Sequence, residues 1–100
     1  MDHLFSYGTL RDVEVQLAVF SRKLSGWPDA LPGYKRSDEK AYGSYPLVVK
    51  VRDTSQKIQG MVYALEPGEL EKADGYEGPE YKRIEVDLES GKSAWLYVGA

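Results

Sequence analysis

The 100-residue sequence has no cysteine and a single histidine, His3. The first absence removes disulfides, thiol nucleophiles and cysteine-based metal sites. The second removes a multi-histidine zinc site, so no metal is expected. A Ser-His-Asp arrangement would have to use His3, and no G-x-S-x-G surrounds any serine. No apolar run approaches the ~20 residues of a membrane-spanning helix. The opening "MDHLFSYGTL" has an acid at position 2 and no basic n-region, so it does not read as a signal peptide. An excess of positive charge is missing too. Residues 1–50 carry seven Lys/Arg and six Asp/Glu, and residues 51–100 carry six and ten. The second half would repel a phosphate backbone, so neither nucleic acid nor a membrane is expected as a partner. A cysteine-free chain fits a reducing compartment, and a cytoplasmic setting is expected.

What is present fits one domain over residues 1–100, with ordinary apolar content and no repeat or linker. "HLFSYG" reads as a strand ending in a turn. In "DVEVQLAVFSRKL", Val13, Leu17, Phe20 and Leu24 share one helical face, Asp12 suits the N-cap, and Gly26 stops the run. "GWPDALPGYKR", with two prolines, is expected as loop or edge strand. "SYPLVVKV" and "QGMVYAL" are strand-like, and the polar "RDTSQK" between them is expected to be a hairpin connection. "PGELEKAD" is a short helical pattern in which Leu70 and Ala73 face one side and Gly75 is placed as the C′ stop. "YKRIEVDLESGKSAWLYVG" is the clearest hairpin. Ile84, Val86 and Leu88 share a face with the returning Ala94, Leu96 and Val98. The order of elements is α+β, with strands enough for a closed or partly closed sheet.

Three stretches could carry chemistry. In "YGTLR", Tyr7–Arg11, a strand ends, a glycine permits close backbone approach and a helix begins. Backbone N–H groups there can face an anion. The Walker spacing and lysine are missing, so a carboxylate suits it better than a triphosphate. A strand-to-helix turn with an obligatory glycine explains the same residues. In "DGYEGPEYKR", Asp74–Arg83, Glu77 follows the end of a short helix, whose partial negative charge disfavours a carboxylate. Burial among Tyr76 and Tyr81 would act in the same direction and raise its pKa towards neutrality, as a general base that later acts as an acid requires. An exposed loop glutamate paired with Lys82 or Arg83 is the alternative. Third, the tyrosines of "YGSYP", Tyr42–Pro46, could line a pocket or fill the core with their hydroxyls at the rim, and an exposed connection explains the stretch equally. Trp27 and Trp95 read as core.

Taken in order, "FSYGTLR", "YP" before a β run, "GMVYAL", "LEKADGYEGPEYKR" and "AWLYV" resemble the γ-glutamylcyclotransferase-like superfamily, in particular its AIG2-like and γ-glutamylamine cyclotransferase branch. The resemblance spans nearly the whole chain. It implies a small mixed-strand β-barrel with flanking helices. It also implies an enzyme that converts γ-glutamyl amines or γ-glutamyl amino acids to 5-oxoproline and a free amine, with no cofactor. By the same resemblance Glu77, in "YEG", is the catalytic acid/base. Tyr7, Gly8, Thr9 and Leu10 hold the γ-glutamyl end of the substrate, and Arg11 matches the arginine that follows them. Arg83 matches the "Y-x-R" and is expected to pair with a carboxylate near the site. Asp74 is expected to act locally, and Glu80 to face away. Where the usual pattern is "LD-x-[YF]-EG", this chain has Ala73 and Gly75, and the glycine is expected to shorten the helix presenting the site. The partner implied is a small γ-glutamyl molecule, and a chain of this size could work as a monomer. A non-catalytic domain of the same fold that binds γ-glutamyl groups or small acids is the alternative.

Overall fold

The computed structural model describes the backbone of residues 2–41, 43 and 45–100, and the side chains of all of these except 39–41, 45 and 46. The chain runs β1 (Asp2–Ser6), a 3-10 turn (Thr9–Arg11), α1 (Val13–Phe20), β2 (Gly26–Pro32), β3 (Tyr34–Ala41), β4 (Tyr45–Lys50), β5 (Lys57–Leu65), α2 (Glu69–Glu77), β6 (Tyr81–Asp87) and β7 (Ser93–Gly99). Five strands form one mixed sheet in the order β2-β5-β1-β7-β6, and β3 pairs with β4 in a separate ribbon. All pairings are antiparallel except β1 with β7, where Leu4 lies opposite Trp95. The architecture is α+β with a mixed sheet, as expected. Hydrogen bonding among the described residues leaves two sheets rather than a closed barrel.

Strand alternation sends successive side chains to opposite faces, and both faces are covered. Phe5, Val62 and Leu96 point into a cluster with Leu31, Val48 and Ile58, which joins the sheet to the β3–β4 ribbon. Leu4, Tyr63 and Tyr97 point the other way, into a cluster with Leu10, Phe20, Leu70 and Ala73 from the helical side. The central strands are therefore apolar on successive residues, which is why "HLFSYG" alternates only weakly.

Several local expectations are corrected. "RDTSQK" does not close a hairpin: β4 pairs with β3, and β5 pairs with β1 and β2. Polarity marked a connection correctly, but pairing partners are set by which apolar faces meet, and β3, "YKRSDEKA", has little apolar content to announce it. The Pro-containing β2 is an edge strand, as its prolines require.

Helix α1 ends at Phe20, where Ser21 takes a left-handed conformation with φ 59°. Its inward face is only in part the one the apolar spacing picks: Phe20 and, beyond the helix, Leu24 are buried. Val13 and Leu17 are 43% and 50% exposed, whereas Gln16 is buried. Gln16 Nε2 donates to the Leu10 carbonyl at 2.9 Å, and its Oε1 accepts from the Leu24 backbone N–H at 2.9 Å. A buried amide that meets two backbone groups is stable where a lone polar group would not be. Asp12 occupies the N-cap position, but its side chain makes no capping bond. Arg22, beyond the helix end, forks onto Glu69 instead, with Nε at 2.8 Å and Nη2 at 2.7 Å from the two carboxylate oxygens.

Candidate active site

Two chain segments far apart in sequence build the site. The first is the exit of β1. Ser6 ends the strand, Gly8 follows, and the 3-10 turn is closed by bonds from the Arg11 N–H to the Gly8 carbonyl and from the Asp12 N–H to the Thr9 carbonyl. These bonds use the later amides of the turn and leave those of Thr9 and Leu10 at its opening, where helical N–H groups have no intrahelical acceptor. Arg11 Nε also donates to the Gly8 carbonyl, at 3.1 Å, so the arginine braces the loop. Leu10 is buried beneath it and anchors the turn.

The second segment is the end of α2. Leu70 and Ala73 face inward as expected. Gly75 does not stop the helix. It continues through Gly75 to Glu77 and is halted at Gly78, whose φ of 80° and ψ of −175° are open essentially to glycine alone. Glycine is a poor helix former but is tolerated where its neighbours are held by packing. The helix is therefore longer than expected, and its last residue is Glu77.

The two segments meet at one cavity of about 120 Å³. Tyr7, Gly8, Thr9 and Leu10 line it together with residues 4–6 of β1, and Tyr76, Glu77, Tyr81 and Tyr97 line it from the other elements. All five of the residues singled out at Tyr7–Leu10 and Glu77 are thus on one pocket. Asp74, Glu80 and Arg83 are not on its wall. Asp74 and Arg83 pair with each other, Nε to Oδ1 at 2.7 Å, and Glu80 sits in the exposed turn before β6. The side chains of Tyr42 and Tyr45 lie outside the described residues.

Burial raises the Glu77 carboxyl to about 7. Withdrawal from water penalises the charged form, so the group can gain or lose a proton near neutrality. Burial also pushes the Tyr7 phenol well above its ordinary value, with the Glu77 charge adding to it. The Tyr97 phenol is raised by burial first and then by its bond to Asp74. Tyr7 donates its hydroxyl to the Tyr97 carbonyl at 2.7 Å, and Tyr97 donates to Asp74 Oδ1 at 2.7 Å. At the rim the Thr9 hydroxyl and the Tyr76 hydroxyl lie 2.6 Å apart, a bridge between the two segments. Among the described residues no cluster of His, Asp and Glu could hold a metal ion.

Sequence reasoning missed Tyr97. Apolar alternation along the terminal strand picks out Ala94, Leu96 and Val98, which do face the ribbon cluster or pack against it. Tyr97 belongs to the alternate set, and its role appears only once helices cover that second face.

Residues 4–100 match the family described as "Gamma-glutamyl cyclotransferase, AIG2-like". The chain belongs to this family. Among solved structures, the Arabidopsis thaliana protein At3g28950.1 is 27% identical, with a TM-score of 0.82, over 98% of this chain and 61% of that one. This chain thus spans under two thirds of that relative's length. The uncharacterized protein PH0828 from Pyrococcus horikoshii is 26% identical, with a TM-score of 0.71, over 99% of this chain and 78% of that one. A structure titled "Gamma-glutamyl cyclotransferase" shares the fold at a TM-score of 0.76 and 16% identity, over 99% of this chain and 66% of that one. A search of curated proteins returned no match. The AIG2-like family and its α+β fold agree with the order of motifs in the sequence.

Proposed function

We propose that the chain is a γ-glutamyl cyclotransferase. It would act on a γ-glutamyl amine or γ-glutamyl amino acid and release 5-oxoproline and the free amine. The observation that carries this reading is that Glu77, with its carboxyl raised to about 7, shares one cavity with the Tyr7–Leu10 loop. Family membership supports the reaction class.

The substrate brings its own nucleophile. Folded into the cavity, its α-amine lies within reach of its γ-carbonyl, and an intramolecular attack gains a high effective molarity. The α-ammonium first gives a proton to the Glu77 carboxylate. The freed amine then attacks the γ-carbonyl carbon and closes a five-membered ring. Amides at the opening of the 3-10 turn suit either the α-carboxylate or the oxyanion that develops on the carbonyl. Glu77, now a carboxylic acid, gives its proton to the departing nitrogen as the old C–N bond breaks, and the second proton of the ring nitrogen follows by way of the same carboxylate, so that the lactam is left neutral and the amine departs as an ammonium ion. No water is consumed, and a single carboxyl serves as base and then acid.

The test is release of 5-oxoproline from a panel of γ-glutamyl amines and γ-glutamyl amino acids. Glu77→Gln is expected to remain folded and to lower turnover by about 10²–10⁴-fold. A Glu77→Gln protein with full activity would sink the proposal. Thermal stabilisation by 5-oxoproline without turnover anywhere on the panel would favour a binding domain instead.

A further inference from the structure

The cavity that holds Glu77 is small, about 120 Å³, whereas pockets that enclose a whole ligand run to roughly 300–1,000 Å³. It suits the γ-glutamyl end, and the departing amine must extend past the rim. Surface clefts adjoin the cavity wall. One, of about 330 Å³, shares Tyr7, Gly8 and Thr9 with it and carries Arg11, Asp12 and Arg36. A second shares Tyr81 and Tyr97 and carries Asp74, Lys82, Arg83 and Trp95. A third meets the cavity only at Tyr76, with Glu14 and Lys72 as its charges.

The charges of these clefts are committed to different degrees. In the second, Arg83 Nε donates to Asp74 Oδ1 at 2.7 Å, and its guanidinium lies over the Trp95 ring, 4.8 Å from the centroid. In the third, one acid and one base offset each other. In the first, Arg11 is held by the Gly8 carbonyl at 3.1 Å, and the Asp12 charge offsets its own. That leaves Arg36 in excess. Among the described residues it pairs with no carboxylate.

The place of Arg36 on its strand is unusual for a charge. Strand alternation puts it on the same face of β3 as Tyr34, and it lies opposite Val48 of β4. Tyr34 and Val48 both belong to the core cluster. Arg36 is therefore on the core-facing side of the ribbon, yet it is exposed, because it stands where the cleft opens. Its charge acts on the Tyr7 phenol of the cavity wall.

We propose that Arg36 is a specificity-determining residue that takes a carboxylate carried by the leaving amine, so that γ-glutamyl amino acids are preferred to γ-glutamyl amines without that carboxylate. The proposal rests on the reading of the cavity as a γ-glutamyl site, but not on turnover. In a γ-glutamyl amino acid the second carboxylate is borne by the carbon next to the departing nitrogen, just past the scissile bond. A planar guanidinium matches a carboxylate in a two-point contact. Because Arg36 is exposed, the contact is partly screened, and a preference of about three- to tenfold is expected.

The test compares ligands that differ only in that carboxylate and cannot cyclise. N-glutarylalanine and the N-ethyl monoamide of glutaric acid keep the terminal carboxylate of the γ-glutamyl chain and lack its attacking amine. By calorimetry, wild type is expected to bind N-glutarylalanine about three- to tenfold more tightly, and by less at high ionic strength. Arg36→Gln is expected to bring the two affinities together. Lys82→Gln and Lys72→Gln, which remove equal charges from the other clefts, are expected to keep the preference. Equal affinities in wild type overturn the proposal, and so does a preference that Arg36→Gln retains. A preference lost in Lys82→Gln or Lys72→Gln overturns it too, because the leaving group then follows another cleft. Should neither analogue bind, kcat/KM for γ-glutamylalanine and γ-glutamylethylamine is compared under the same criteria. A protein that neither binds nor turns over these compounds overturns both readings. Release of 5-oxoproline without a carboxylate preference removes the role of Arg36 and leaves the reaction. A preference without release leaves that role in a binding domain.

Discussion

At the scale of the residue, Glu77 combines two consequences of one cause. Burial lifts its carboxyl from the ordinary 4.5 to about 7. In the proposed reaction the carboxylate is the form that accepts the substrate's proton. The kcat/KM for 5-oxoproline release should therefore fall on the acid side of about 7 and level off above it, which a pH–rate profile would read. For stability the sign is opposite to that of an ion-paired carboxylate. A raised folded-state pKa means the folded protein binds the proton more tightly than the unfolded chain. Glu77 is thus harmless to the fold in acid and costs stability as pH rises from 4.5 through about 7. Glu77→Gln removes a group that must ionise in a dry place. It should match wild type in urea denaturation at pH 4 and exceed it at pH 8 by about 2 kcal/mol, after allowance for partial solvent screening. Loss of activity with gain of stability in one variant would distinguish a functional strain from a structural role.

At the scale of the element, the end of α2 decides where that carboxyl sits. Gly75 has no φ requirement and lies inside the helix, while Gly78 has φ 80° and ψ −175° and stops it. Both are glycines in a glycine-rich stretch, and a sequence pattern does not tell a tolerated glycine from a required one. Gly78→Ala is expected to cost about 1–3 kcal/mol in urea denaturation and to reduce turnover, because the strained residue follows Glu77 directly. Helix α1 teaches a related lesson. Its apolar spacing favoured Val13 and Leu17, yet both are exposed and Gln16 is inside. Hydropathy assigns an amide to water. The Leu10 carbonyl and the Leu24 N–H, which make the amide welcome in the core, come from outside the helix. The β6–β7 hairpin was legible because its strands are adjacent in sequence and carry one apolar face each. The β3–β4 pairing was not, because β3 has few apolar residues and nothing local names its partner.

At the scale of the whole molecule, the five-stranded sheet is the frame on which the site hangs. Its centre, β5-β1-β7, is paired on both sides and covered on both faces. The Tyr7 loop leaves β1, Tyr97 stands on β7, and Glu77 ends the helix that follows β5. A two-stranded ribbon has little stability of its own. Native-state amide exchange is therefore expected to be slowest at Phe5, Val62 and Leu96 and faster along β4, measured residue by residue by NMR. Equal protection of the ribbon and the central strands would show that the two sheets open as one unit.

The order of motifs pointed to the family, and through that resemblance to Glu77 and Tyr7–Leu10, because the motifs lie in short local stretches that can be read without knowing what packs against them. The expected burial among tyrosines even indicated the direction of the Glu77 shift, whose cause is burial. Tertiary structure alone decided that these letters, some seventy residues apart by the numbering of Tyr7 and Glu77, face one cavity. It also decided that Asp74 holds Tyr97 and Arg83, and that Gly78 rather than Gly75 closes the helix. Those facts depend on which faces of the sheet are covered and by what. In "DGYEGPEYKR" the carboxylates look alike, and the fold separates them by burying one in a cavity, pairing one with an arginine and leaving one in an exposed turn.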